Sequence, residues 1–148
     1  VIQNADGERL VAAEDFFIGP QVDIERMTVL QAGDILTAIR IPNTWANAAF
    51  YFEKVADRKT WDFALVNIAA AIRLSGDTIE DIRIVAGGVE CVPRRLSVVE
   101  NIVKGSEKNA DTAKLAGGSA SRGATPLNYN AFKIPLLENL VMRAIRDA

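Results

Sequence analysis

Ala64-Leu-Val-Asn-Ile-Ala-Ala-Ala-Ile-Arg-Leu-Ser-Gly-Asp-Thr-Ile-Glu-Asp-Ile-Arg-Ile-Val85 is the stretch on which the fold turns. Its first half is open between two structures. Leu65, Val66, Ile68, Ala69, Ala70 and Ile72 suit a buried helix or a strand with a continuous apolar run. Its second half, Thr78 to Val85, reads as a strand through Ile79, Ile82 and Ile84. Between them lies Ser75-Gly-Asp77, and a Gly-Asp turn joining two β-capable runs favours a hairpin. Residues 64 to 74 are therefore expected to be a strand.

Working outward, Ala48 to Val55 reads as a further strand, rich in aromatics. Ile35-Leu-Thr-Ala-Ile-Arg-Ile-Pro42 places Ile39 and Ile41 on one face and Ala38 and Arg40 on the other, a half-buried strand ended by proline. After Pro93 the period changes. Leu96, Val99, Ile102 and Val103 fall at helical spacing with Gly105 as a stop. Ala110 to Ser121 is an alanine-rich helix, weakened by Gly117 and Gly118 at about 1 kcal/mol each. Leu136, Leu137, Leu140, Val141, Ala144 and Ile145 form one apolar stripe, with Pro135 suited to the first turn. Four antiparallel strands within 35 to 90, then three helices within 94 to 147 packed on one face, predict an α+β two-layer sandwich. Its expected core holds Ile39, Ile41, Ile68, Ile82 and Ile84 from the sheet, and Leu137, Leu140 and Val141 from the last helix. Residues 1 to 33 read as a loosely structured lead-in, with turns at Asn4-Ala-Asp-Gly7 and Gln31-Ala-Gly-Asp34, a short strand near Glu8 to Val11, and an apolar cluster at Phe16-Phe-Ile-Gly-Pro20.

Composition narrows the function. At 148 residues there is room for one good core and not for two comfortable domains. A formal net charge of −2 leaves no electrostatic footprint for nucleic acid or an anionic membrane. No apolar run reaches the roughly 18 to 20 residues of a membrane span. The start at Val1, with no basic-then-apolar leader, suggests a processed or excised chain. One cysteine, Cys91, excludes an internal disulfide and suits a reducing compartment or an indifferent one. The absence of histidine argues against a catalytic triad, a zinc site or imidazole acid–base chemistry. The chain reads as part of a catalyst.

The candidate site is the tip Asp57-Arg-Lys-Thr-Trp-Asp62 between the strand at Ala48 to Val55 and the next apolar run. An exposed turn rarely carries a large aromatic without a reason, which makes the tip the place to look for a ligand; the alternative is Trp61 folded onto the sheet. Lys54 is either a cation aimed at a ligand or a solvated strand-end lysine, and Leu36 by itself reads as core. Asp62 is expected to accept a hydrogen bond from Arg58 in a structural role. Gly87-Gly88 is expected to form a turn or bulge, since Val-Glu-Cys-Val-Pro intervenes where a phosphate loop needs a helix. Cys91 has no neighbouring base and reads as inert. Glu14-Asp15 and Glu80-Asp81 would point to opposite faces of a strand, so neither is a carboxylate dyad.

Three segments in order, Asp34-Ile-Leu-x-x-Ile-x-Ile-Pro42, Lys54-Val-x-Asp-Arg-Lys-x-Trp-Asp-Phe-Ala-Leu-Val66 and Gly87-Gly-Val-x-x-x-Pro-x-Arg95, resemble the FAD-binding (medium) subunit of molybdenum hydroxylases. This is the family of xanthine dehydrogenase, carbon monoxide dehydrogenase and bacterial aldehyde oxidoreductases. Asn130-Ala-Phe-Lys-Ile134 followed by Arg143-Ala-Ile is most similar to the aldehyde-oxidoreductase branch. Gly7, Arg9, Asp15 and Phe16 follow a pattern from the end of that family's preceding flavin-binding domain. The resemblance implies that residues 1 to 30 are the tail of an upstream FAD-binding domain and 31 to 148 a flavoprotein C-terminal domain. It implies FAD contacts from Leu36, Lys54 and Trp61, and partners in the upstream FAD-binding domain, an iron–sulfur subunit and a molybdopterin subunit. Molybdopterin and the iron–sulfur clusters would belong to those partner subunits, in a cytoplasmic complex or an exported periplasmic one. The glycine-rich segments that cradle the FAD pyrophosphate in that family lie upstream, so the chain by itself is expected to bind FAD weakly or not at all, and not to be catalytic alone. A different class of function, a non-catalytic oligomerisation module of a flavoprotein, is the alternative.

Overall fold

A computed structural model describes all residues, Val1–Ala148, which divide into two compact units, Val1–Thr44 and Trp45–Ala148. Each is described by itself.

The first unit holds strands β1 (Ile2–Asn4), β2 (Gly7–Arg9) and β3 (Ile35–Leu36) and a short helix, α1 (Ala13–Phe16). The strands form an antiparallel sheet in the order β2-β1-β3. The lead-in expected to be loose is thus partly a sheet, with Ile2 fully buried at its centre. Its polar knot is Asp34, whose carboxylate accepts from the Arg9 guanidinium (2.9 Å to Oδ1), Asn4 Nδ2 (3.2 Å) and the Gln31 N–H (2.8 Å). The strand expected over residues 35 to 42 ends at Leu36. Ile39 and Ile41, expected in the core, are 81% and 82% exposed. Their alternation specified two faces but not a layer to cover either, and Pro42 lacks the N–H that would extend a ladder. Glu14 and Asp15 lie in α1, not on a strand.

The second unit is the α+β sandwich. Strands β4 (Ala49–Val55), β5 (Val66–Ser75), β6 (Thr78–Gly87) and β7 (Arg94–Arg95) form one antiparallel sheet in sequence order. Helices α2 (Ser97–Val103), α3 (Ala110–Ala120) and α4 (Lys133–Asp147) follow. The fourth strand of this sheet is therefore β7, beside β6 at one edge, and not the run 35 to 42 expected to supply it. The hairpin reading of the decisive stretch holds: Ser75 pairs with Thr78, and Gly76 turns the chain at φ 59°. Beyond Arg73 the register shifts, Arg73 facing Asp81 and Leu74 facing Ile79. That bulge lets Ile79 and Ile82, an odd spacing for a strand, both point inward.

The core lies between the inner sheet face and the helices. Val66, Ile68, Ala70 and Ile72 of β5 and Ile79, Ile82, Ile84 and Ala86 of β6 meet Val99, Val103, Ala113, Ala116 and the Leu137–Ile145 stripe. Gly117 has a packing purpose: an added Cβ would stand 2.7 Å from the Glu138 carbonyl, so α3 and α4 approach closely only because it is absent. No helix is long and apolar enough to cross a membrane.

Candidate functional site

Pairing of β4 with β5 closes at Val55 opposite Val66, and the Leu65 N–H donates to the Val55 carbonyl at 2.8 Å. Residues 56 to 64 project beyond that closure and carry the charged tip. Asp62 organises it. Its Oδ2 accepts the Arg58 N–H at 2.8 Å, and its Oδ1 lies 3.9 Å from the Arg58 guanidinium. The expected Arg58–Asp62 link is present, chiefly through backbone. The same guanidinium donates to the Trp61 carbonyl at 2.7 Å, and Lys54 Nζ donates to the Asp62 carbonyl at 3.0 Å. An exposed ion pair of this kind adds little stability. Its effect is on shape.

Trp61 is the one non-glycine residue at positive φ (52°), a conformation costing an L-residue about 1–2 kcal/mol. The hydrogen bonds on either side hold it there. The alternative of a tryptophan folded onto the sheet is excluded: Trp61 is 93% exposed and Phe63 94%. Two flat apolar surfaces are thus held outward beside a lysine. Of the three ammonium donors of Lys54, one is used on a carbonyl, which leaves two for an anionic acceptor.

Behind the tip, Lys54 faces Asn67, and Asn67 faces Gly87. Gly88 sits at φ 77° with a would-be Cβ 2.9 Å from the Leu65 carbonyl oxygen. Only glycine fits there, and the pair is a close-approach turn as expected. Lys133 Nζ donates to the Gly88 carbonyl at 2.7 Å, fastening the start of α4 behind the same strand ends. Lys133 and Asn67 went unrecognised as supports, because their partners lie far along the chain.

The structure brings together Lys54, Arg58, Trp61 and Asp62, all of the second unit. Leu36 belongs to the first. It is half-exposed and lines an apolar cavity of about 290 Å³ with Leu10, Phe16, Phe17 and Ile39. No cluster of three or more His, Cys, Asp or Glu side chains is arranged to hold a metal ion. The residues at the tip do fit a planar, partly anionic ring system: exposed aromatic faces for stacking and a cation with free donors beside them.

A family model described as CO dehydrogenase flavoprotein C-terminal domain matches residues 50–148. The chain is 32% identical to the glyceraldehyde dehydrogenase medium chain of Sulfolobus acidocaldarius, over 99% of this chain and 51% of that one. It is 34% identical to the carbon monoxide dehydrogenase medium chain of Hydrogenophaga pseudoflava, over 100% of this chain and 51% of the relative. Among solved structures, carbon monoxide dehydrogenase from Hydrogenophaga pseudoflava superposes with a TM-score of 0.84 at 27% identity, covering 99% of this chain and 50% of that one. The chain spans about half the length of the curated relatives it matches.

Proposed function

The chain belongs to the CO dehydrogenase flavoprotein C-terminal domain family, and from that membership we propose that it covers the flavin in the FAD subunit of a molybdenum hydroxylase. In the complete complex, electrons taken from an aldehyde or heterocycle at molybdenum would pass through iron–sulfur clusters to FAD. Residues 1 to 30 would continue from an upstream FAD-binding domain, residues 31 to 148 would form the C-terminal domain, and the iron–sulfur and molybdopterin subunits would dock alongside.

The carrying observation is the pinned tip, with Trp61 held outward at positive φ and Lys54 anchored beside it by the Asp62 carbonyl. Bound FAD would supply electron exchange between one-electron clusters and an external acceptor. Lys54 would place positive charge near the pyrimidine end of the ring or its phosphate arm. Trp61 would cover a ring face and limit access of the acceptor, and Leu36 would add an apolar contact to the cofactor. Asp62 and Arg58 orient Lys54 and Trp61 without touching the cofactor. The whole arrangement would supply charge and cover.

The test is made in the complete FAD subunit. Lys54→Met should make the flavin harder to reduce by about 30 mV for the two-electron couple, which corresponds to roughly 1.4 kcal/mol. Trp61→Ala should instead change the rate of reoxidation by an external acceptor. If potential and reoxidation rate stay at wild-type values in both variants, the site proposal fails. A second reading, a non-catalytic oligomerisation module, draws on the outer sheet face, where Phe50 and Phe52 are exposed. It predicts neither flavin effect.

A further inference from the structure

Lys54, Asn67 and Gly87 stand in one row across β4, β5 and β6, each opposite the next. Val66 and Ile68 beside Asn67, and Ala86 beside Gly87, point into the core, so the row lies on the outer face of the sheet. Side chains directly opposite one another on a face have Cβ atoms roughly 5 Å apart. The row therefore presents an ammonium, then an amide, then no side chain at all. The next row along the same face, Phe52, Ala69 and Val85, is wholly apolar. Asparagine is depleted in strands, and alanine or valine would serve this face better.

The amide lies in the space that a side chain at position 87 would fill. A Cβ on Gly87 would stand 2.5 Å from Asn67 Oδ1 and 3.0 Å from both Cγ and Nδ2, and these are its three nearest atoms. Gly87 is not one of the glycines at positive φ, so its backbone suits any residue and the bare Cα makes room. A strand glycine weakens its strand and often marks a place of close approach. Here the approaching group is the Asn67 amide. Its oxygen and nitrogen bond to no other group of the chain, and neither is sealed from solvent. Two N–H donors and an acceptor oxygen are thus on offer beside the Lys54 ammonium.

That set of groups selects a ligand class. Donors next to an acceptor complement a planar ring edge on which C=O and N–H alternate. A phosphate could use the donors but would turn an anionic oxygen toward the amide oxygen. The pyrimidine ring of a flavin carries such an alternating imide edge.

We infer that Asn67 is a further flavin contact: its amide hydrogen-bonds the imide edge of the pyrimidine ring beside Lys54, and Gly87 stays bare so that the amide can lie there. This rests on the reading of the tip as the cover of the flavin.

The complete FAD subunit is tested, with FAD titrated into the deflavinated protein and the two-electron potential measured by dye equilibration. Asn67→Ala should raise the FAD dissociation constant about tenfold, the scale of one hydrogen bond. It should also lower the potential, because a donor to the reduced, anionic ring is lost. Asn67→Asp, nearly isosteric, should lower the potential further, since a carboxylate takes the place of that donor. Gly87→Ala should displace the amide and reproduce Asn67→Ala, yet add nothing in the Asn67→Ala background. FAD affinity within about twofold of wild type in Asn67→Ala overturns the inference. So does a changed melting temperature of the deflavinated subunit with the potential of bound flavin unaltered, the mark of an amide that serves folding alone. Should Asn67→Ala fail to fold, Asn67→Asp decides, and a wild-type potential in it counts equally against the contact. Lys54→Met separates this inference from the reading beneath it. A shifted potential there with none in the Asn67 variants removes the Asn67 contact only, whereas no shift in any of them removes both.

Discussion

Gly88 and Gly105 share a backbone region and differ in what surrounds them. Both have positive φ, 77° and 83°. A Cβ at Gly105 would meet nothing within 4 Å, while at Gly88 it would stand 2.9 Å from the Leu65 carbonyl oxygen and 3.1 Å from that of Ala64. Gly105→Ala should therefore cost only the left-handed penalty, about 1 kcal/mol. Gly88→Ala should add backbone overpacking, for a total of about 2–4 kcal/mol. Urea denaturation followed by tryptophan fluorescence separates them, provided the slope with denaturant is unchanged. Equal losses for the two variants would mean that the strand end beside the tip yields and that its shape is not imposed by Gly88. Because Lys133 holds the Gly88 carbonyl, the same change should disturb the support behind Lys54 without touching the tip itself.

Among the elements, α2 is fastened to the sheet by one buried carboxylate. Glu100 accepts the Ile84 N–H of β6 (3.0 Å) and takes the Arg95 guanidinium through Nε (3.0 Å) and an Nη (2.9 Å). Ile84 offers its carbonyl to the Leu96 N–H at 2.9 Å. Both its polar groups are therefore spent on the β7–α2 corner. Glu100→Ala would leave that N–H buried without a partner, at about 1–3 kcal/mol, and would remove the carboxylate that pairs with Arg95. A total of about 2–4 kcal/mol is expected, and Glu100→Gln should recover roughly half by still accepting the N–H. Equilibrium unfolding of both variants checks this, and a loss below about 0.5 kcal/mol for Glu100→Ala would show that water replaces the carboxylate. Sequence periodicity reveals none of it, since Glu100 falls on the helix as an ordinary polar position.

At the scale of the molecule the two units answer to acid differently. Asp34, in the first unit, is pulled down to about 2 by the Arg9 hydrogen bonds, then by the Gln31 N–H. A carboxyl group whose folded pKa is depressed stabilises the folded form above its unfolded value, here 3.8, and loses that contribution as pH falls toward the folded one. The first unit should therefore loosen between about pH 4 and pH 2, and Asp34→Asn should flatten that dependence while weakening the unit at neutral pH. Amide exchange at Thr37, whose N–H is bonded to the Val1 carbonyl at 3.0 Å, reports on this unit specifically. Protection that persists unchanged at pH 2 would show that the Arg9–Asp34 pair adds nothing to this sheet. The second unit, whose core is aliphatic, should keep its Ile68 amide protected through the same window.

The sequence by itself determined the sandwich of the second unit, because hairpin chemistry at Gly76-Asp77 and the change of period after Pro93 are local. It also located the tip and its Arg58–Asp62 link, whose partners are four residues apart. Family motifs marked Lys54, Trp61 and Leu36, but only the tertiary structure decided that Trp61 is held outward and that Lys54 is anchored to the Asp62 carbonyl. Only the tertiary structure, too, denied Ile39 and Ile41 a covering layer and gave the fourth strand position to Arg94–Arg95. The division has one physical cause. Turn and helix signals are written within a few residues of chain, whereas which strand lies beside which, and which apolar face is covered, depends on contacts between residues that the chain keeps far apart.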